Sequence, residues 1–351
     1  MIDILLILIA PLFPLWATGQ IDNPTIEDSQ IVLNRSVDFC ESMKGICETN
    51  VEKEKNPEEE KKYEGHNIFP EKSIFVTSVY PVKKGNTPNL KIWAGSSVAI
   101  DVESGTILHY DQGREQAQIA SLTKIMTSIL TVENIKNLEE EVTITREALI
   151  LPGTRVGCLA TGFCPSNRMF TGEKVKAIDL LRATLMNSAN DAATALAIHI
   201  GGSKEKFVEM MNEKAKSLGF VDTNFCTPSG LEIDGRESEC YSTAYDIARI
   251  AVYSLRHEVI WDIMKIKEGR FYSCDGTYMH ELKNTDMLLD SLPNCFGGKT
   301  GFTPLAGKSL LTGMVDETGK HKIIAVILND PERWKDMKSL VGWIFENYEW
   351  K

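Results

Sequence analysis

The chain has 351 residues, 43% hydrophobic, 25% charged and 8% aromatic, which excludes a wholly disordered chain, a collagen-like repeat and a polytopic membrane protein. Lys and Arg total 38 against 49 Asp and Glu, so the net charge is −11 and the positive field that nucleic acid requires is missing. Nucleic acid is not an expected partner.

Residues 4–17 form an uncharged, mostly apolar run. It is shorter than the roughly 20 residues that span a bilayer, and Ala17-Thr18-Gly19 follows it as a small-x-small cleavage pattern. Residues 1–19 therefore read as a secretory signal, cleaved or retained as an anchor, although Asp3 replaces the usual basic residue and Pro11 and Pro14 interrupt the run. Residues 20–72 carry 13 acidic and 7 basic side chains, which buries little apolar surface and reads as an acidic flexible linker. The remaining core, 73–351, has a net charge of only −4.

Within the core, β-rich runs at 97–102 and 105–110 flank a hairpin turn at Glu103-Ser104-Gly105. A helical pattern covers 121–132, and a helix-rich middle follows over 175–200, 204–218 and 243–255. Strand patterns return at 310–315 and 322–328, and an amphipathic helix over 333–348 comes last. Strands at both ends with helices between them predict an α/β (α+β) fold, one sheet built from distant segments with a helical lobe inserted.

The eight cysteines fall as four sequence-adjacent pairs: Cys40/Cys47, Cys158/Cys164, Cys226/Cys240 and Cys274/Cys295. None forms a C-x-x-C motif and the six histidines are scattered, so neither a metal nor another cofactor is expected. Bridging within each pair would imply an oxidising, extracytoplasmic compartment.

Three short motifs carry chemistry: Ser121-Leu122-Thr123-Lys124, Ser188-Ala189-Asn190 and Lys299-Thr300-Gly301. Each is weak alone; a second Ser-x-x-Lys occurs at Ser203 and Lys206, where it reads as surface helix. Taken singly they also read as a helix cap with an exposed lysine, an interhelical turn, and a glycine-rich turn after Gly297-Gly298. Together and in this order they describe an activated serine. Ser121 opens a helix, which puts Lys124 one turn on and on the same face. A serine hydroxyl needs a base, and a lysine serves only if burial or a neighbouring cation such as Lys299 lowers its pKa.

Through these motifs the chain resembles the serine D-alanyl-D-alanine carboxypeptidases, the low-molecular-mass penicillin-binding proteins. The resemblance runs from about Val98 to Tyr348 through IASLTKIMT (119–127), LMNSANDAATALA (185–197), FVEMMNEKAKSLGF (207–220), FCTPSGLE (225–232), YSTAYDIARIA (241–251) and GGKTGFTPLAG (297–307). It implies the serine β-lactamase and penicillin-binding-protein-like transpeptidase fold, an antiparallel sheet flanked by helices with a helical subdomain. It also implies an enzyme acting on peptidoglycan stem peptides that end in D-Ala-D-Ala, acylated by β-lactam antibiotics. On that resemblance Ser121 is the nucleophile and Lys124 its base, with Ser188 and Asn190 in the proton relay. Lys299, Thr300 and Gly301 line the substrate site, the amides of Ser121 and Phe302 form the oxyanion hole, and Arg333 lies near the substrate carboxylate.

Two departures from the family stand out. Many relatives carry a C-terminal β-domain and an amphipathic membrane helix that do not follow this core, so membrane attachment, if present, falls to the N-terminal segment. The stretch VGCLATGFCPSNRM looks like an added loop, a stapled flap or a surface decoration. Three competing readings remain: a D,D-endopeptidase cleaving cross-links, a class A β-lactamase, and a non-catalytic wall-binding or penicillin-sensing module. The β-lactamase reading lacks its deacylating glutamate, since neither Glu232 nor Glu237 has an asparagine four residues on. The module reading conflicts with the intact motifs.

Overall fold

The computed structural model describes residues 79–159 and 161–351. The expected signal, the acidic linker and the Cys40/Cys47 pair lie outside the described residues. Within them, no helix is long and apolar enough to cross a membrane.

The centre is a five-stranded antiparallel sheet made of β2 (Ser96–Asp101), β3 (Ile107–Asp111), β8 (Cys295–Thr303), β9 (Gly307–Val315) and β10 (Lys322–Leu328), in the order β3-β2-β10-β9-β8. The antiparallel sheet built from distant segments is thus present. Strand β10 shows why it forms: Ile323, Ala325 and Ile327 face one core while Ile324, Val326 and Leu328 face another, the period-two burial of a strand covered on both sides. One face is covered by helix α8 (Arg333–Asn347), whose Met337, Leu340, Val341 and Ile344 recur at helical spacing. The other meets the helical lobe: α1 (Lys124–Asn134), α2 (Arg146–Leu149), α3 (Ala177–Leu185), α4 (Asn190–Gly201), α5 (Lys204–Ser217), α6 (Ala244–Ser254) and α7 (Glu258–Met264). Three small pairs complete the described strands: β1 (Pro81–Lys83) with β11 (Tyr348–Trp350), β4 (Glu141–Thr143) with β5 (Lys174–Lys176), and β6 (Glu268–Tyr272) with β7 (Met279–Lys283).

Two expected elements differ in ways that matter for the site. The pattern over 121–132 begins with a 3-10 turn, Ala120–Thr123, and becomes α-helix only at Lys124. The pattern over 175–200 is not one helix: strand β5 starts it, and α3 and α4 are separated by a break at 186–189. Ala- and Leu-rich periodicity runs straight through that break, but Ser188 adopts a left-handed φ of 59° and the Asn187 side chain is taken by the Lys283 amide. Lys299-Thr300-Gly301, where the sequence allows a strand, lies within β8, whereas the β6–β7 hairpin carries no sustained run of β-branched residues to announce it.

Disulfides join Cys158 to Cys164 and Cys226 to Cys240. The expected Cys274/Cys295 bridge is not formed; both thiols are free. Cys274 sits in the β6–β7 turn with its amide on the Lys174 carbonyl, whereas Cys295 opens β8 with its amide on Leu292. Nearest-neighbour pairing fails here because β7 and the turn Met287–Asp290 carry the chain from the helical lobe to the sheet between them. Burial pushes the Cys295 thiol up to about 12. Under native conditions a thiol-alkylating reagent should therefore label Cys274 first and leave Cys295 unmodified until the protein unfolds; labelling in the reverse order would contradict this arrangement.

The segment holding the first disulfide is tied to the β6–β7 hairpin by a fully buried pair, His280 and Glu173, at 2.7 Å. The other ring nitrogen of His280 faces the Asn167 carbonyl at 3.0 Å. Both nitrogens meet acceptors, so the ring serves best as an imidazolium donating to each. Burial opposes that charge, but the Glu173 bond and the Asn167 carbonyl prevail and hold the His280 pKa above its ordinary value.

Candidate active site

The first motif is placed by strain and close packing. Ala120, directly before Ser121, holds a left-handed φ of 47°, a conformation that costs a non-glycine residue energy and that packing must enforce. Gly230, itself at φ 82°, permits that packing, since a Cβ there would overlap the Ala120 carbonyl. The turn then feeds α1, and Lys124 points inward with 0% of its surface exposed.

A buried ammonium is costly, and its neighbours decide its form. Lys124 Nζ lies 2.9 Å from Ser121 Oγ, 2.8 Å from Asn190 Oδ1 and 2.6 Å from the Ser229 carbonyl. The last two atoms only accept. The Asn190 side chain is oriented by donating its Nδ2 to the Pro152 carbonyl at 2.8 Å, which leaves Oδ1 toward the lysine. A neutral amine donates its two protons to these acceptors and has one lone pair left, aimed at the Ser121 hydroxyl. Burial drives the Lys124 pKa well below the ordinary lysine value, and the Lys299 charge lowers it further against the opposing Asp191. Geometry and electrostatics agree on a base.

The second cluster lies on the break between α3 and α4 and on β8. Lys299, 1% exposed, donates to Ser188 Oγ at 2.8 Å and to the Thr300 carbonyl at 2.9 Å. Burial and the neighbouring Arg333 bring its pKa down to about 7, with Asp286 opposing. Ser188 on the break and Asn190, which opens α4, connect the two clusters. Strand β8 is an edge of the sheet, so an extended peptide can be received along it. A Cβ on Gly301 would stand 2.9 Å from the Ile119 carbonyl, so glycine here lets the edge approach the nucleophile turn. Phe302 lies further along this edge and is 56% exposed. Arg333 is engaged with the sheet: its Nη1 donates to the carbonyls of Gly301 at 2.8 Å and Ser309 at 3.3 Å.

All nine residues singled out from the sequence thus fall at one junction between sheet edge and helical lobe. Others went unnoticed there. Ser229 supplies a carbonyl to Lys124, and its turn is pinned to α1 by Thr127, whose hydroxyl donates to Pro228 at 2.6 Å. The signal for it was the Pro228-Ser229-Gly230 turn. Residues 152–156 form another wall: Pro152 and Thr154 accept from Asn190, and the Val156 amide donates to the buried Asp191 carboxylate. Glu232, set aside in the sequence, accepts the hydroxyl of Thr303 two residues beyond Gly301.

Comparisons with known proteins identify the family and the fold. The family model described as D-alanyl-D-alanine carboxypeptidase matches residues 82–332. The Bacillus subtilis D-alanyl-D-alanine carboxypeptidase DacF is 30% identical over 290 residues, 78% of this chain and 68% of that one. The chain spans about two thirds of the length of the curated relatives it matches. Among solved structures, a Mycobacterium tuberculosis D-alanyl-D-alanine carboxypeptidase is similar with a TM-score of 0.65 and 25% identity, covering 76% of this chain and 96% of its own. Listeria monocytogenes penicillin-binding protein D2, solved in its ampicillin-bound form, gives a TM-score of 0.61 and 27% identity, covering 74% of this chain and 99% of its own. The fold is that of the penicillin-binding proteins and D,D-transpeptidases, and the chain belongs to the D-alanyl-D-alanine carboxypeptidase family of serine peptidases.

Proposed function

We propose that the chain removes the terminal D-Ala from peptidoglycan stem peptides through an acyl-enzyme on Ser121. The supporting observation is the buried Lys124, whose Nζ stands 2.9 Å from Ser121 Oγ and against two oxygens that can only accept, so that its neutral form has a lone pair free for the Ser121 proton. Lys124 takes the proton of Ser121 as the oxygen attacks the penultimate D-Ala carbonyl. The amides of Ser121 and Phe302 receive the oxyanion. Ser188, held by Lys299, relays to the departing D-Ala amine the proton that Lys124 took from Ser121, so that both side chains return to their starting forms. Lys299 and Thr300 bind the terminal carboxylate, and Arg333 steadies that edge through the Gly301 carbonyl. Water then releases the shortened peptide. A β-lactam presents a similar amide and carboxylate, and its acyl-enzyme has no departing amine to make room for water. Such substrates place the enzyme on the cell-wall side of the membrane, and residues 1–19 deliver it there or hold it.

The test is D-Ala release from a purified stem pentapeptide, measured beside cleavage of D,D-cross-linked dimers. Pentapeptide turnover at the greater kcat/KM supports the carboxypeptidase; cross-link cleavage alone would replace it with the endopeptidase reading. Absence of both activities in a folded, penicillin-reactive sample would overturn the proposal.

A further inference from the structure

Thr285 lies outside the three motifs, yet it touches the walls built by two of them. It falls between β7 and the Met287–Asp290 turn, half-buried. Its amide donates to the Met186 carbonyl at 3.0 Å, two residues before Ser188. Its hydroxyl oxygen is 2.6 Å from that of Thr300 on β8. The neighbours of Thr285 reach the same walls: the Lys283 amide donates to Asn187 Oδ1 at 2.7 Å, and the buried Asp286 carboxylate lies under Gly298.

The hydroxyl pair has a definite proton requirement. At 2.6 Å one hydroxyl donates and the other accepts. Thr300 has one proton; directed to Thr285, it leaves only lone pairs to face a substrate carboxylate, which is itself an acceptor. Thr300 donates outward only when Thr285 donates to it, and the chain Thr285 to Thr300 to carboxylate then strengthens each bond. We infer that Thr285 is a positioning residue of the carboxylate subsite, its hydroxyl donating to Thr300 Oγ1 so that the Thr300 proton is turned toward the terminal carboxylate of the substrate. This rests on the reading of Thr300 as a carboxylate donor.

The test compares Thr285→Val, which keeps the shape and removes the hydroxyl, with Thr285→Ser, which keeps the hydroxyl, both in the full chain. Each is assayed on a D-Ala-D-Ala peptide and on the same peptide ending in D-alaninamide. Thr285→Val should lower kcat/KM about tenfold for the carboxylate substrate, chiefly through KM, and leave the amide substrate within about twofold. Thr285→Ser should restore the wild-type ratio. Equal losses on both substrates, or an unchanged ratio in Thr285→Val, would overturn the inference. Should Thr285→Val fail to fold, Thr285→Ala takes its place, and a folded Thr285→Ser that loses the ratio overturns the inference equally. A wild-type enzyme indifferent to carboxylate or amide would instead overturn the role given to Thr300.

Discussion

Ser121→Ala should abolish the covalent adduct of one benzylpenicillin that intact-mass measurement detects on the wild-type chain, and D-Ala release should fall by roughly 10⁴- to 10⁶-fold, the range seen when a nucleophile is removed from a cooperating catalytic set. The expectation has a local basis. The Ser121 hydroxyl is the one partner of Lys124 Nζ that can give a proton, and alanine leaves the lysine with only the acceptors of Asn190 and Ser229. Folding should be little affected, since the close approach of Ala120 to Gly230 that shapes the turn does not involve the Ser121 side chain. An adduct of undiminished yield on Ser121→Ala would move the nucleophile elsewhere.

Lys124→Ala should cost at least about 10³-fold in kcat/KM, on the scale of losing a general base together with the hydrogen bonds it organises. The pH profile gives a second, independent reading. The lysine works as a free base, and its pKa is lowered by burial and then by Lys299, so kcat/KM rises as pH climbs through that lowered value. Lys299 works as a cation, and its pKa is brought down to about 7, so the descending limb for a carboxylate substrate begins near there. Because kcat/KM reports the free enzyme, both limbs belong to the unliganded site. A D-alaninamide substrate should lack most of the descending limb, having no carboxylate for Lys299 to hold. A profile that stayed flat to high pH for the acid substrate would remove Lys299 from that role.

The sequence made the sheet and the chemistry readable to different degrees. Strand β10 was readable to the residue, since Ile323 to Leu328 is unbroken apolar sequence between polar ends. The break at Ser188 was harder, because helical periodicity continues across it and the strained φ depends on tertiary contacts such as Lys283 on Asn187. The three motifs announced Ser121, Lys124, Ser188, Asn190, Lys299 and Thr300, whose spacing carries their chemistry. Ser229, Pro152 and Thr154 act through backbone carbonyls, which every residue possesses, so no side-chain pattern could announce them. Cys274 and Cys295 misled for a related reason: proximity in sequence is a poor guide where a hairpin and a turn intervene.

The strand order has a consequence for how the molecule is made. Strand β2, at 96–101, is bonded on one side to β10, at 322–328, so two central neighbours of the sheet are separated by most of the described chain. Closing such a pairing carries a large loop-closure entropy, and folds dominated by distant contacts assemble slowly. During synthesis the helices of the lobe can begin to form while β2 still waits for its partner. A chain arrested before residue 322 lacks the central strand and leaves the apolar faces of β2 open to solvent and to other chains. The sheet that carries the site thus cannot close until β10 has emerged, and the interval before closure exposes β2 to proteases and chaperones.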